Sequence, residues 1–150
     1  MMEVLDMPDK ISKKQRSLNM SKIKSNDNTI ELKVRKYLYH HGFRYKKNDK
    51  SLPGKPDIVL NKYHTVIFIN GCFWHQHYNC KYVKIPKSRL DYWIPKLKKN
   101  VQNDLINYKK LRELDYKVLI VWECEVKDCF EYRMEELIKE IKSDDEYGGY

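Results

Sequence analysis

The run YKVLIVWE, residues 116–123, constrains the fold more than any other part of this sequence. It is almost uninterrupted by polar residues, whereas a strand with one face in water alternates apolar and polar residues. Such a strand is covered on both faces, and helices are the usual cover for a sheet buried on both sides. The run therefore predicts a central buried strand in an α/β protein.

Two further β-rich runs come earlier in the chain, DIVL at 57–60 and HTVIFI at 64–69. Only the three residues Asn61-Lys62-Tyr63 separate them, and so short a connection joins antiparallel neighbours. The two runs predict a β-hairpin.

Three helical segments surround these strands. Apolar residues recur at helical spacing from Asn28, which can cap the first helix, to Gly42, which ends it. Ser88 can cap the second helix, with Asp91 at the third helical position, and Pro95 is predicted to kink or restart this helix. The third covers residues 127–142. This order of elements predicts an α/β sandwich with a mixed sheet.

The 150 residues are enough for one domain, and 41% of them are hydrophobic, enough to bury a core. We expect a single domain at residues 17–142. A flexible basic arm would precede it at residues 1–16, and a flexible acidic tail would follow at 143–150.

The charge balance points to a polyanionic partner. The net charge is +9, and residues 10–24 hold six lysines or arginines and no acid. The alternative is a soluble basic protein with a solvated surface. No apolar run reaches the ~18 residues of a membrane span, and the N-terminus lacks the features of a signal peptide, so we expect a cytoplasmic protein with no membrane partner.

The loop GCFWHQHYNC, residues 71–80, carries a metal-ligand pattern. Cys72, His77 and Cys80 follow the spacing C-x4-H-x2-C, and thiolate and imidazole are favoured ligands of Zn²⁺, which takes four. Cys124, at the end of the apolar strand, is the best candidate for the fourth ligand, and Cys129 competes with it. In the alternative interpretation Cys124 is a small buried hydrophobic residue. A closed site of four protein ligands would be structural.

Four other residues are candidates for chemistry. Asp57 opens the first strand of the hairpin, where many nucleases hold Mg²⁺, although an Asp after Pro is also ordinary turn chemistry. Asp104 falls on the apolar face of the second helix and needs a partner, either a histidine of the metal loop or a basic residue. His75 is free to be that partner or a bystander. For Glu31, a capping-box role beside Asn28 is sufficient explanation.

Several long motifs, in order from about Ser17 to Lys127, resemble the very short patch repair (Vsr) endonucleases, which nick DNA at T·G mismatches. The motifs are SLPGKPDIVL, VIFINGCFWHQH, KIPKSRLDYW, KKNVQND and VLIVWEC. The resemblance implies a restriction-endonuclease-like core, a central mixed sheet flanked by helices, with a structural zinc site.

The resemblance also implies roles for the matching residues at the site of reaction. Asp57 would be the central ligand of catalytic Mg²⁺, of which two ions are expected, beside the backbone carbonyl of Ile69. His75, paired with Asp104, would be the base or would position water, and Glu31 would assist the waters around the metal.

Two further groups of residues follow from the same resemblance. The zinc ligands would be Cys72, His77, Cys80 and Cys124. The residues entering the DNA near the mismatch would be Phe73, Trp74 and Trp93 as an aromatic wedge, with Met20 on the minor-groove side.

The chain departs from the family in three places. The residues before Gly71 are usually Thr and His, whereas here they are Ile69 and Asn70. The change to Ile69 keeps the backbone carbonyl. We count Asn70 among the catalytic residues by position, but its side chain cannot accept a proton. We therefore expect the change at position 70 to lower the turnover rate or to abolish activity. The loop from Cys72 to Cys80 is one residue longer than usual, and Pro95 is expected to tilt the helix that carries part of the wedge.

The function implied is a Mg²⁺-dependent, strand-specific endonuclease that nicks 5′ to the thymine of a T·G mismatch, in repair of deaminated 5-methylcytosine. Its partners would be double-stranded DNA with a T·G mismatch and other mismatch-repair proteins. We expect a monomer at the nucleoid of a bacterial or archaeal cytoplasm. The alternatives are a restriction-type endonuclease acting on paired DNA and a non-catalytic zinc protein that binds mispaired DNA.

Overall fold

The computed structural model describes residues 29–143. The predictions for Asn28, for Met20, for the basic arm and for most of the acidic tail lie outside the described residues. Within them the chain forms four strands, four α-helices and one 3₁₀ turn. In chain order they are α1 (29–40), β1 (Lys46–Lys47), β2 (Ile58–Leu60), the 3₁₀ turn (Asn61–Tyr63), β3 (Thr65–Asn70), α2 (Leu90–Glu113), β4 (Lys117–Trp122), α3 (Glu123–Asp128) and α4 (Phe130–Lys142).

The four strands form one mixed sheet in the order β1-β2-β3-β4. β1, β2 and β3 are antiparallel neighbours, with Ile58 opposite Ile67, whereas β4 runs parallel to β3, with Val118 opposite Val66. The predicted hairpin and the predicted mixed sheet are confirmed. The crossover from β3 to β4 contains the metal loop and α2, which places both beside the end of β3.

The predicted central position of YKVLIVWE is wrong, because β4 is the last strand of the sheet within residues 29–143. Its apolar character comes from two covered faces. Leu119 and Val121 are buried in one core, and Val118 is buried in the other. Along the open edge, the guanidinium of Arg133 donates to the carbonyl of Ile120 at 3.0 Å. Thus a helix residue, and not another strand, satisfies this backbone group.

Helices cover both faces of the sheet, as an α/β sandwich requires. One core lies under α1 and α4, with Val34, Leu38, Ile67, Val121 and Leu137 among its buried residues. The other lies under α2, with Val59, Val66, Phe68, Tyr108 and Leu111. The predicted fold class is confirmed, and no helix among the described residues is long and apolar enough to span a membrane.

The end of α1 follows the prediction. Gly42 has φ of +88°, a conformation that L side chains rarely adopt. Its N–H donates to the carbonyl of Tyr39, and the N–H of Phe43 donates to that of Leu38 at 3.0 Å. These two bonds form a Schellman motif, which turns the chain towards β1.

The start of α2 differs from the prediction. The helix begins at Leu90, and the flanking residue is Arg89, with φ of +58°, rather than Ser88. The helix also continues through Pro95 to Glu113 without restarting. Pro95 removes the hydrogen bond to Asp91 four residues earlier, but both residues are exposed, so water can solvate the freed carbonyl.

The closing helix is two helices rather than one. The chain breaks at Cys129, whose φ of −145° is not helical, so α4 starts at Phe130. The preceding turn, α3, follows directly on β4, because the Glu125 carboxylate accepts the N–H of Trp122 at 2.8 Å and holds the turn closed. Cys124 is consequently the second residue of α3, and not a strand end.

Candidate active site and metal centre

Asp57 lies just before β2, and its side chain reaches the end of β3. Its Oδ2 accepts the backbone N–H of Ile69 at 2.6 Å. Burial is the main cause that raises its pKa to about 7, and the nearby carboxylate of Glu31 adds to the effect, while the bond from Ile69 and the ring of His75 oppose it. The hairpin thus holds a carboxylate in a place where its negative charge is costly.

Glu31 brings a second carboxylate to Asp57 from α1. Its only described ion pair is with Arg35, at 3.3 Å, and both side chains are mostly buried. In an extended strand the N–H and C=O of one residue point to the same side, so the carbonyl of Ile69 also faces Asp57. Two carboxylates and a carbonyl are hard oxygen ligands, and a divalent cation such as Mg²⁺ would relieve their repulsion.

His75 and Asp104 form the second half of the site. His75 Nδ1 lies 2.5 Å from Asp104 Oδ2, so the predicted partner of this helix carboxylate is a histidine of the metal loop rather than a lysine or arginine. Both side chains remain partly exposed, at 30% and 21%. The bond to Asp104 places the proton on Nδ1 and leaves Nε2 as a base that a ligand can reach.

The four predicted soft ligands are also brought together. One donor atom from each of Cys72, His77, Cys80 and Cys124 lies within 4.8 Å of the others. His77 Nδ1 is 3.7 Å from Cys72 Sγ and 3.4 Å from Cys124 Sγ. In tetrahedral Zn²⁺ with bonds of the usual length, sulfur and nitrogen ligands are separated by about 3.5 Å. Donor type and spacing therefore both fit zinc.

The longer loop keeps all four donors in the cluster. Gln76 and Asn79 have φ of +49° and +53°, and these two left-handed residues tighten the loop on either side of His77. The imidazole of His77 stacks on Trp122 at 4.1 Å, and burial lowers its pKa, which favours the neutral form that binds metals. Cys129 is exposed and lies outside the cluster.

Sequence reasoning missed Glu123, which contacts the backbone of the metal ligand Cys72. Glu123 accepts the N–H of Cys72 at 3.2 Å and pairs with Lys127 at 2.7 Å. The N–H of Cys124 in turn points to the sulfur of Cys72, at 3.4 Å. The i,i+4 spacing of Glu123 and Lys127 was the available signal, but it resembles any surface ion pair.

The predicted aromatic wedge is a packed cluster in this structure. Phe73 lies 5.0 Å from Trp74 and 5.8 Å from Trp93, between ring centroids. Phe73 and Trp93 are only 8% and 6% exposed, whereas Trp74 is half-buried. The structure therefore joins the three residues, and Trp74 is the ring most accessible from outside.

Asn70, the departure from the family at the end of β3, is buried and paired with Tyr108. Its side-chain amide donates to the Tyr108 hydroxyl at 2.8 Å. Sequence reasoning did not include Tyr108 among the site residues. The signal it left was position, because Tyr108 lies one helical turn after Asp104 on the same face of α2.

Comparison with known proteins relates the whole arrangement to one family. The DNA mismatch endonuclease Vsr family matches residues 8–81. The chain is 48% identical to a protein of Neisseria meningitidis named type II nicking enzyme V.NmeAIP, over 91% of this chain and 98% of that protein.

Two other relatives extend the comparison. The chain is 43% identical to DNA mismatch endonuclease Vsr of Escherichia coli, over 79% of this chain and 75% of that protein. It is 39% identical to type II nicking enzyme V.XorIIP of Xanthomonas oryzae, over 81% and 89% respectively. The mixed sheet with helices on both faces fits the restriction-endonuclease-like core of these proteins, and the chain belongs to the Vsr family.

Proposed function

We propose that this protein is a Mg²⁺-dependent, strand-specific DNA endonuclease that nicks 5′ to the thymine of a T·G mismatch. The observation that carries the proposal is the convergence of two groups beside the end of β3. These are the carboxylates of Asp57 and Glu31 and the hydrogen-bonded pair of His75 and Asp104. Relatives named as a DNA mismatch endonuclease and as nicking enzymes support it.

Asp57 and the carbonyl of Ile69 would hold the Mg²⁺, with Glu31 on the same side. When bound, the metal would offset the negative charge that develops on the phosphate and lower the pKa of water near it. The raised pKa of Asp57 supports this assignment, because burial without a cation leaves its carboxylate poorly stabilised.

His75 would take the proton from the attacking water. Asp104 keeps the imidazole in the tautomer that exposes Nε2 and stabilises the charge that forms on the ring. The partial exposure of both side chains leaves room for a phosphate to approach.

Zinc would have a structural role. Four protein donors fill a tetrahedral site and leave no open position for chemistry. The site would fix the loop that carries both His75 and the aromatic cluster, and so couple the position of the base to the position of the wedge.

The aromatic cluster would read the mismatch by unstacking a base step. Inserting an apolar side chain between two stacked base pairs costs roughly a few kcal/mol, and the cost is lower where one of the pairs is mismatched. Trp74 would enter first, since it is the most exposed of the three rings, with Phe73 and Trp93 behind it. Lys96, with its Nζ 5.7 Å from the centre of the Trp74 ring, places positive charge beside this point of entry.

The partner would be duplex DNA, because a protein of net charge +9 attracts a polyanion. We propose that the protein binds it as a monomer in the cytoplasm. Cooperation with other mismatch-repair proteins stays a prediction.

The experiment is nicking of an end-labelled duplex that contains one T·G pair, with and without Mg²⁺. We expect a nick in the thymine strand alone, and Asp57→Ala should abolish it while leaving binding of the duplex largely intact. Asp49→Ala is the matched control, because Asp49 lies in the connection between β1 and β2 and its carboxylate accepts hydrogen bonds from Ser51. Normal nicking by Asp57→Ala would overturn the metal assignment.

The same assay separates the alternatives. Cleavage of both strands of a fully paired duplex would show a restriction-type enzyme. Binding of the mismatched duplex with no nick at any Mg²⁺ concentration would show a non-catalytic binding protein.

A further inference from the structure

A buried polar pair, Asn70 with Tyr108, lies between the two halves of the site. Asn70 is 3% exposed, and its amide donates to the Tyr108 hydroxyl at 2.8 Å. On one side Ile69, the adjacent residue, donates its N–H to Asp57. On the other side Asp104, which pairs with His75, is one turn away from Tyr108 on α2. The pair therefore connects the end of β3 to the helix that carries Asp104.

The hydroxyl of Tyr108 has a proton left to donate. Its oxygen accepts from Asn70, and a phenol carries one donor in addition to its acceptor capacity. Burial, the largest cause, and the carboxylates of Asp104 and Asp57 raise the pKa of Tyr108 to about 12, while the bond from Asn70 opposes the rise. The Tyr108 hydroxyl is consequently a neutral donor at physiological pH. The carboxylates of Asp104 and Asp57 are close enough to influence its pKa.

The ring of Tyr108 is fixed as well as its hydroxyl. It packs edge-on against Phe68 at 5.0 Å between centroids and is buried in the core under α2. Its hydroxyl direction is set by this packing and by Asn70. Such a donor costs little reorganisation when a ligand arrives.

We propose that Tyr108 is a positioning residue for nicking, held by Asn70 so that its hydroxyl donates to the water between Asp57 and the His75–Asp104 pair. In this role it supplies the polar group that is missing because position 70 is not a histidine. The inference rests on the proposed function and goes beyond it, because it names a residue outside the predicted site and explains how a chain with Asn70 can retain turnover.

A purely structural role makes a different prediction. If the pair only satisfies two buried polar groups, removing the hydroxyl lowers stability and leaves the rate of the folded enzyme unchanged. If the pair orients a reacting water, the rate falls although the DNA binds normally, since small misplacements can cost up to about a hundredfold in rate.

The test is single-turnover nicking of the T·G duplex at saturating enzyme and Mg²⁺, with affinity for the duplex measured separately without metal. Tyr108→Phe keeps the packing on Phe68 and removes only the hydroxyl. We expect its rate to fall about tenfold to a hundredfold, with affinity within about twofold of the wild type. Tyr116→Phe is the matched control, since Tyr116 stacks on His64 near the start of β4, away from the site, and it should nick at the wild-type rate.

A double variant tests whether the two residues act as one unit. Asn70→Ala alone should lower the rate as Tyr108→Phe does, and the double variant should be no slower than the slower single variant. If the fold-reduction of the double variant equals the product of the two single fold-reductions, the residues act independently and the proposal is overturned. Asn70→Ala also keeps the test decisive if Tyr108→Phe does not fold, because the two changes break the same bond.

The wild-type protein in the same assay separates failure of this inference from failure of the proposed function. If the wild type nicks and Tyr108→Phe nicks equally fast, the positioning role is wrong and the proposed function stands. If the wild type nicks no duplex, the proposed function is wrong and the positioning role falls with it.

Discussion

At the scale of single residues, the carboxylate of Asp57 shows how a site of this kind opposes stability. The sheet buries it, Glu31 lies near it, and the bond from Ile69 and the ring of His75 offset only part of the cost. A buried acid of this kind is retained at the expense of stability where a ligand needs it. The consequence can be measured as a dependence of stability on pH.

We predict that the Mg²⁺-free protein loses stability as pH rises from about 4 to about 7. The folded-state pKa of Asp57 is about 7, above the ordinary 3.8, so in this range the folded state holds a proton that the unfolded chain releases. The loss from this group is at most about 4 kcal/mol. Urea denaturation at pH 4 and pH 8 measures it, and Asp57→Asn should be relatively more stable than the wild type at pH 8.

Asp49→Asn provides the control, because the Asp49 carboxylate is in water and its pKa is lowered, chiefly by Ser51, rather than raised. It should keep the wild-type dependence on pH in this range. Equal pH dependence in Asp57→Asn and in the wild type would show that Asp57 is not the source.

At the scale of elements, the metal loop carries three of the four soft donors, and the fourth, Cys124, lies in α3. The loop joins β3 to α2, and its described contacts to α3 pass through Cys124 and Glu123. The loop is therefore the element whose order we expect to depend most on a bound ion.

We predict that Cys80→Ser lowers the zinc content of the purified protein and destabilises it, by several kcal/mol, roughly, since binding of a structural zinc contributes directly to folding. Cys129→Ser is the matched control, because Cys129 is exposed and outside the cluster, and it should retain zinc and stability. Elemental analysis and thermal denaturation measure the two quantities. Full zinc in Cys80→Ser would remove Cys80 from the ligand set.

The edge of β4 depends on Arg133 of α4. Its Nη1 lies 2.6 Å from Glu140 Oε1, and its Nη2 donates to the carbonyl of Ile120. Its Nε is 3.1 Å from Glu125 but lacks the alignment of a hydrogen bond, so that contact is an ion pair only. One side chain thus joins α3, α4 and the last described strand.

We predict that Arg133→Ala destabilises the protein by about 3 kcal/mol or more, because it leaves two partly buried carboxylates and a strand carbonyl without their partner. Lys139→Ala is the control, since Lys139 is exposed and its pair with Glu136 is at the surface. Urea denaturation compares the two. Equal stability of the two variants would mean that water replaces Arg133 at the edge.

At the scale of the whole molecule, the charge balance governs association rather than folding. The net charge of +9 is spread over a chain in which 34% of residues are charged. Release of counterions from DNA by such a surface gives the affinity an electrostatic part that depends on salt and not on base sequence.

We predict that affinity for duplex DNA falls about a thousandfold between 50 and 200 mM salt if about six phosphates are neutralised. The slope of log affinity against log salt concentration should be the same for T·G and fully paired duplexes, because both present the same phosphates. The affinities themselves should differ by the contribution of the mismatch. Fluorescence anisotropy across a salt series measures both. An affinity that does not change with salt would exclude phosphate contacts as the main source of binding.

The hairpin, the end of α1 at Gly42 and the three metal donors of the loop could be predicted because each depends on residues close together in sequence. Asp104 could be marked as needing a partner, since a carboxylate on an apolar helix face is costly wherever the helix lies. The sequence could not choose that partner, because His75 is on another element and the choice depends on how α2 packs.

The sequence by itself determined the type of each main element, the soft ligands and the polar residues that had to be satisfied, because propensity and burial cost act locally. Only the tertiary structure decided that β4 ends the described sheet, that α3 and α4 are separate and that Asn70 meets Tyr108. The physical reason is that an apolar strand sequence indicates that both faces of the strand are covered, but it does not indicate how many strands lie beside it. A buried hydrogen bond between distant segments, in turn, forms only once the sheet and α2 have packed together.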